Sequence, residues 1–254
     1  IAPYINGGLT INLKGNSVSL PYIKMTAALM KYFGADVSFS NQKIIIPQSQ
    51  YVPKDFYVEN DWSSASYSFL EVAVTGNDVL LNKLYANSLQ GDVIVREIFS
   101  KLGIKSFFES GNLRIIKTTS QPEYFEYDFT QCPDLFLTVA IACAALNIKA
   151  KFSGLQNQAY KECDRLSIFI DNITKLGYNV NKINNAEIIL NNNAKIISQI
   201  PLINSASDHR IAMSFAYLTP LIGKIIIDKP YVTSKSFPYF WRNFINAGFN
   251  VEEC

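Results

Sequence analysis

Thr174-Lys175-Leu176-Gly177, running on into Tyr178-Asn179-Val180-Asn181, is the stretch whose reading decides the fold. A glycine just past a run of helix formers fits the position where a left-handed backbone ends a helix cheaply. The same ending recurs as Met30-Lys31-Tyr32-Phe33-Gly34, Ser100-Lys101-Leu102-Gly103 and Ile245-Asn246-Ala247-Gly248. The glycines lie 69, 74 and 71 residues apart. That period of about 70 residues is longer than the repeats of common solenoids. A strand-like stretch follows each glycine, at 35–39, 104–108, 178–181 and 249–252, and a second follows the first three, at 44–46, 113–116 and 187–190.

Within a complete unit the order reads helix, strand, helix, strand, strand. The clearest copy has a helix at 133–146, a strand at 148–152 and a helix at 161–176 before its two strands. Helices alternating with short strands argue for an α/β (α+β) architecture in which each unit lays helices on a small sheet. The spacing also implies a chain that starts inside one unit and stops a strand short in another. A connection is expected at 53–60, where Pro53, Lys54 and Asp55 precede a new helix opened by Asp61 or the serines after it.

Composition narrows the function classes. The 254 residues are 48% hydrophobic and 17% charged, with a net charge of +2. A nearly neutral chain gives no support for a nucleic-acid or membrane-surface role, and no apolar run reaches the roughly 18 residues of a membrane span. Cys132, Cys143, Cys163 and Cys254 show no metal or redox spacing, and His209 is the only histidine. No metal or other cofactor is expected, and scattered thiols without a signal peptide point to the cytoplasm.

Three stretches concentrate charge near expected helix starts. In Lys161-Glu162-Cys163-Asp164-Arg165, two cations stand four apart at an end that favours acids. A bound anion would repay that placement, and a solvated, salt-bridged turn is the alternative. Ser207-Asp208-His209-Arg210 offers an N-cap followed by a titratable ring and a guanidinium, which serve either an anion or a nearby carboxylate. Thr233-Ser234-Lys235-Ser236-Phe237-Pro238 reads as the start of the final helix, a third helix start that carries a cation. Three such coincidences in a near-neutral chain imply convergence on a polyanionic small molecule. Asp134, behind Pro133, is either a first-turn helix stabiliser or a carboxylate that orients or deprotonates a hydroxyl.

These motifs resemble those of the enolpyruvylshikimate-phosphate synthases. Lys161-Glu162-x-Asp164-Arg165 with Asp208-His209-Arg210-x-Ala212-Met213 is the specific pair. Pro133-Asp134, Asp61-x-Ser63-Ser64-Ala65-Ser66-Tyr67, Asn87-Ser88-x-Gln90-Gly91-Asp92, Ser19-x-Pro21-Tyr22-Ile23 and Lys235-Ser236-Phe237-Pro238 occur in the family's order. The resemblance implies the enolpyruvyl transferase fold, two lobes of repeated βαβαββ units with a cleft between them. Residues 1–58 would close the first lobe and 59–254 would form the second without its final strand. The resemblance also implies an enzyme, a 3-phosphoshikimate 1-carboxyvinyltransferase, that joins the 5-hydroxyl of shikimate 3-phosphate to phosphoenolpyruvate. Ser19, Tyr22, Asp134, Asn157 and Lys161 then resemble shikimate-phosphate contacts, and Arg165, His209, Arg210 and Lys235 the phosphoenolpyruvate clamp. As catalytic residues, Asp134 resembles the carboxylate that holds or deprotonates the attacking hydroxyl, and Glu162 the acid that exchanges a proton with the enolpyruvyl methylene. Ala159, Cys163 and Leu20 depart from residues common in the family.

A missing N-terminal lobe, a full-length monomer and an inactive fragment are further expectations of the resemblance. Two other readings stand beside it: the sister transferase acting on UDP-N-acetylglucosamine, and a non-catalytic anion-binding module.

Overall fold

The chain turns left-handed at every position where the helix-ending phrase recurs. Gly34, Gly103, Gly177 and Gly248 have φ of 93°, 86°, 86° and 97°. At Gly34, Gly177 and Gly248 the glycine N–H donates to the carbonyl of Lys31, Thr174 or Ile245, and the next N–H to that of Met30, Ile173 or Phe244. This pair of bonds satisfies carbonyls that a helix end leaves over. Asn147 makes the same ending at φ 57°, with Asn147 N–H on Ala144 and Ile148 N–H on Cys143.

The computed structural model describes residues 1–15, 17–40, 42–191 and 199–253. The first segment holds β1 (Leu9–Asn12), α1 (Leu20–Tyr32), β2 (Ser38–Ser40) and β3 (Lys43–Ile46), in an antiparallel sheet ordered β1-β3-β2. Next come α2 (Trp62–Thr75), β4 (Val79–Leu81), α3 (Val95–Lys101), β5 (Ile104–Glu109) and β6 (Asn112–Lys117), with β6 between β4 and β5. A complete βαβαββ unit follows, made of β7 (Tyr124–Asp128), α4 (Phe136–Ala145), β8 (Lys149–Ser153), α5 (Arg165–Lys175), β9 (Asn179–Asn184) and β10 (Glu187–Asn191). Its sheet runs β7-β8-β10-β9, with β7 and β8 parallel and the other pairs antiparallel. The last unit has β11 (Leu202–Ile203), α6 (His209–Ala216), α7 (Thr219–Ile222), β12 (Ile226–Ile227) and α8 (Phe240–Asn246), with β11 parallel to β12.

The α/β architecture with repeated units is therefore as expected, and several boundaries differ. The helix expected from Lys161 begins at Arg165, because Asp164 caps it and Lys161 is extended (φ −86°, ψ −153°). The stretch 230–235 is a 3₁₀ turn, and the α-helix waits until Phe240. Pro238 explains the delay, since the residue before a proline is pushed out of the helical region. The helix expected behind the N-cap at 207–208 starts at His209, pauses after Ala216 and resumes at Thr219. The stretch 249–252 forms no strand among the described residues. Phe249 instead stacks on Phe244 with centroids 4.0 Å apart and meets Tyr217 edge-on, and its N–H donates to Phe244 O at 3.3 Å.

The large core lies where α2, α4 and α6, one from each of three units, pack together. All nine residues from Phe136 to Ala144 of α4 are buried. Phe136, Phe152, Phe169 and Phe215 form a chain of ring contacts between the sheet and the helices, each burial contributing roughly 1.5–3 kcal/mol. A smaller cluster gathers Ala2, Ala27, Val37, Ile44 and Ile46 under α1. The start of α1 docks on the larger body: Ser19 N–H donates to Thr130 O at 3.0 Å, and Leu20 N–H to Gln131 Oε1 at 2.9 Å. Cys132, Cys143 and Cys163 are free thiols, and Cys254 lies outside the described residues.

Candidate active site

The starts of the three inner helices bring their polar residues to one place. Asp61 caps α2 by accepting from the N–H groups of Ser63 and Ser64, and Asp208 caps α6 by accepting from that of Arg210. Asp164 does the same for α5 through Ser167 N–H. These caps occupy backbone amides that an anion would otherwise use. The site therefore works through side-chain charge more than through free amides. Asp134, in the 3₁₀ turn before α4, makes no cap hydrogen bond. Its carboxylate turns to the cations.

Arg165 organises the cluster. It is only 1% exposed, and its three nitrogens each reach a different carboxylate. Nε donates to Asp208 Oδ2 at 2.8 Å, Nη1 to Asp134 Oδ1 at 3.2 Å and Nη2 to Glu162 Oε2 at 2.7 Å. A planar fork holding three acids in fixed directions is a geometry lysine cannot supply. The turn at 161–165 is thus salt-bridged, with Glu162 and Asp164 open to solvent and Arg165 buried beneath them.

Three more cations reach the same acids. Lys161 Nζ lies 3.0 Å from Asp134 Oδ1, Arg210 Nη2 3.4 Å from Asp134 Oδ2, and Lys235 Nζ 2.8 Å from Glu162 Oε1. Burial alone would raise the pKa of Asp134. Arg210, Lys161 and Arg165 outweigh it and hold the carboxyl at about 2. Glu162 is likewise held at about 2, burial being overcome by Lys235, a backbone hydrogen bond, Arg165 and His209. Both are ionised at neutral pH. The Lys235 side chain is 60% exposed and free to leave, whereas Arg165 is locked.

His209 is buried with its Nδ1 3.9 Å from Glu162 Oε1, without a hydrogen bond, and burial with neighbouring Arg210 lowers its pKa. Asn157 stands half-buried in the 3₁₀ turn 156–160, whose Gln158 donates to Pro133 O at 2.7 Å and so ties that turn to Asp134. Ser19 is a left-handed N-cap of α1 without a side-chain bond, and Tyr22 follows in the first turn. Burial, then the charges of Asp92 and Asp134, push the Tyr22 hydroxyl far above the usual tyrosine range.

Two residues of the site carried no role in the sequence reading. Ser63 Oγ donates to the buried carboxylate of Asp92, and both interact with Tyr22. They lie 29 residues apart in sequence. Only the folding of the turn 91–94 against α2 joins them, so spacing offered no signal beyond the Asn-Ser-x-Gln-Gly-Asp motif itself.

Fold and site together define a repeat-built α/β protein that gathers ionised acids and cations of unequal mobility at the ends of its inner helices. The EPSP synthase (3-phosphoshikimate 1-carboxyvinyltransferase) family model matches residues 1–244. The 3-phosphoshikimate 1-carboxyvinyltransferase of Bacteroides fragilis (strain YCH46) is 37% identical over 256 residues, spanning 99% of this chain and 62% of that protein. That of Vibrio campbellii is 33% identical over 248 residues, spanning 94% of this chain and 56% of the relative. A solved EPSP synthase from Acinetobacter baumannii shares the fold, with a TM-score of 0.69 at 24% identity over 96% of this chain and 57% of that one. The chain belongs to the EPSP synthase family. It spans 56% to 62% of the length of these relatives.

Proposed function

We propose that the protein containing this chain transfers the enolpyruvyl group of phosphoenolpyruvate to the 5-hydroxyl of shikimate 3-phosphate and releases inorganic phosphate. The observation that carries this reading is the meeting of two ionised carboxylates, Asp134 and Glu162, with four cations at one end of the inner helices. Both substrates are anions, and the reaction needs a base near the attacking hydroxyl and an acid near the enol methylene. The hydroxyl oxygen bonds C2 as its O–H proton passes to the base, while C3 gains a proton from the acid. The C–O bond to phosphate then breaks, the departing phosphate takes up the hydroxyl's proton, and C3 gives its proton back to the acid.

Asp134 accepts a hydrogen bond from the attacking hydroxyl, and Lys161 beside it meets the phosphate-bearing substrate with Ser19, Tyr22 and Asn157. Glu162 handles the C3 proton. At a pKa of about 2 it is a poor acid, so the substrate must first draw a cation away. Lys235, exposed and holding Glu162 at 2.8 Å, is the group able to move to the phosphoenolpyruvate oxygens. Its departure raises the Glu162 pKa toward a working value. Arg210 and Arg165 stabilise developing negative charge from fixed positions, with His209 beside them, which suits electrostatic catalysis.

In this reading residues 1–58 close one lobe, 59–254 form most of the other, and the cleft between them binds both substrates. The 254 residues alone are expected to turn over negligibly, and the full-length protein to be a cytoplasmic monomer. Among the described residues no helix is long and apolar enough to cross a membrane.

Phosphate release by the full-length protein is the test. It should require both substrates, and Glu162→Gln should cut turnover by about 10²–10⁴-fold while shikimate 3-phosphate still binds. Equal loss of binding and turnover would remove Glu162 from its role. Turnover with UDP-N-acetylglucosamine in place of shikimate 3-phosphate would favour the sister reaction, and binding without turnover a module that only holds anions.

A further inference from the structure

One buried carboxylate has no part in the chemistry above and lies where the start of α1 meets the rest of the chain. Asp92 is 1% exposed. Its Oδ2 accepts from Ser63 Oγ, while Oδ1 is buried without a partner at hydrogen-bonding geometry. A buried acceptor left unmade is costly, so it is retained for a reason. Tyr22 follows Pro21 in the first turn of α1, against the turn that carries Asp92, and its hydroxyl interacts with the side chains of both Ser63 and Asp92. Gly91 makes this approach possible: a Cβ there would lie 2.5 Å from Pro21 Cβ, so a larger residue would push α1 off the turn 91–94. The charges of Asp134 and Arg210 also reach Asp92, which places it at the edge of the same site.

We propose that Asp92 is a positioning residue that holds the Tyr22 hydroxyl through its free Oδ1 and the Ser63 bridge. Docking of α1 on the Gly91 turn and binding of the phosphorylated hydroxy substrate are thereby one event. Taking Tyr22 as a substrate contact rests on the function proposed above; the link between Tyr22 and Asp92 does not.

A double-mutant cycle in the full-length protein tests it, with steady-state kinetics and thermal unfolding of Asp92→Ala, Asp92→Asn, Tyr22→Phe and the combinations. Asp92→Ala should raise KM for shikimate 3-phosphate about tenfold and leave kcat and the phosphoenolpyruvate KM within about twofold. Asp92→Asn keeps a polar partner for the phenol and should recover most of that loss. In the Tyr22→Phe background Asp92→Ala should add less than about twofold, and the two Tm losses should fail to add. Effects that multiply, both KM values rising together, or kcat falling alone would overturn the proposal. Where Asp92→Ala does not fold, the cycle with Asp92→Asn decides. An inactive wild type would sink the functional reading alone, because the Tm cycle still reports whether Asp92 and Tyr22 are coupled, and additive Tm losses would sink the inference.

Discussion

Two acidic regions flank Arg210 and show opposite behaviour. On one side Asp134 and Glu162 are crossed by Arg165, Lys161 and Lys235 and sit at a pKa of about 2. On the other, Asp92 has hydroxyl neighbours and only the more distant pull of Arg210, and burial raises its pKa. All three carboxyls lose hydration, so desolvation alone does not sort them. Cation contact does. The cation-lined side can hold charge and act on it, and the hydroxyl-lined side can hold a neighbour in place.

The strongest way to break this contrast is to remove its centre. Arg165→Met keeps much of the side-chain volume but leaves Asp208, Asp134 and Glu162 without their shared guanidinium. Loss of one partner from a buried ion network costs about 3–5 kcal/mol. Urea unfolding should show that loss, with turnover abolished as well. A change below about 1 kcal/mol would mean that the lysines alone hold the acids and the contrast is drawn in the wrong place.

Acid should erase the same side more gently. The folded-state pKa values of Asp134 and Glu162, about 2, lie below their ordinary values of 3.8 and 4.5. A depressed carboxyl stabilises the fold fully above its unfolded pKa, and that stability drains as pH falls through the folded value. The window therefore runs from about pH 4.5 down to about pH 2. The loss should amount to about 3 kcal/mol across it, after allowing for partial solvation of both groups. Asp92 acts with the opposite sign, since its raised pKa lets it take up a proton early and ease its own burial. Urea midpoints at pH 5 and pH 3 should fall for the wild type, and less steeply for Arg165→Met. Equal slopes would show that the pairs contribute nothing measurable.

How much of this was legible in the sequence depended on whether a signal was local. The glycine endings were, because a left-handed residue leaves its mark on one position, and all four lie where the phrase placed them. Asn147 makes the same ending and was missed, since asparagine takes that conformation without advertising it. The leading strands β7 and β11 were missed too. β11 has only two residues, and β7 alternates buried Phe125 with exposed Tyr124 and Glu126 too briefly to register. The cations at 161, 165, 210 and 235 were all singled out by charge at expected helix starts, but Lys235 ends a 3₁₀ turn and Lys161 precedes its helix. Their partners could not be read at all. That Arg165 would meet Asp134, Glu162 and Asp208 together depends on three units folding onto one another.

The mildest test extends the series to a carboxyl with no cation and no hydroxyl partner behind its shift. Glu71, on α2, is raised to about 7 by burial alone. Its folded form keeps a proton that the unfolded chain has already released, so stability declines as pH rises from about 4.5 to about 7 and stays reduced above that. Glu71→Gln cannot ionise and should escape this decline. At pH 8 the variant should be more stable by about 1 kcal/mol, after discounting for the part of the side chain that water reaches. At pH 4.5 the gain should vanish, because both forms are then neutral in the fold. A gain that persists unchanged at pH 4.5 would come from packing or helix propensity. Burial would then no longer account for Glu71, and the ordering of the acids by their partners would lose its uncharged limit.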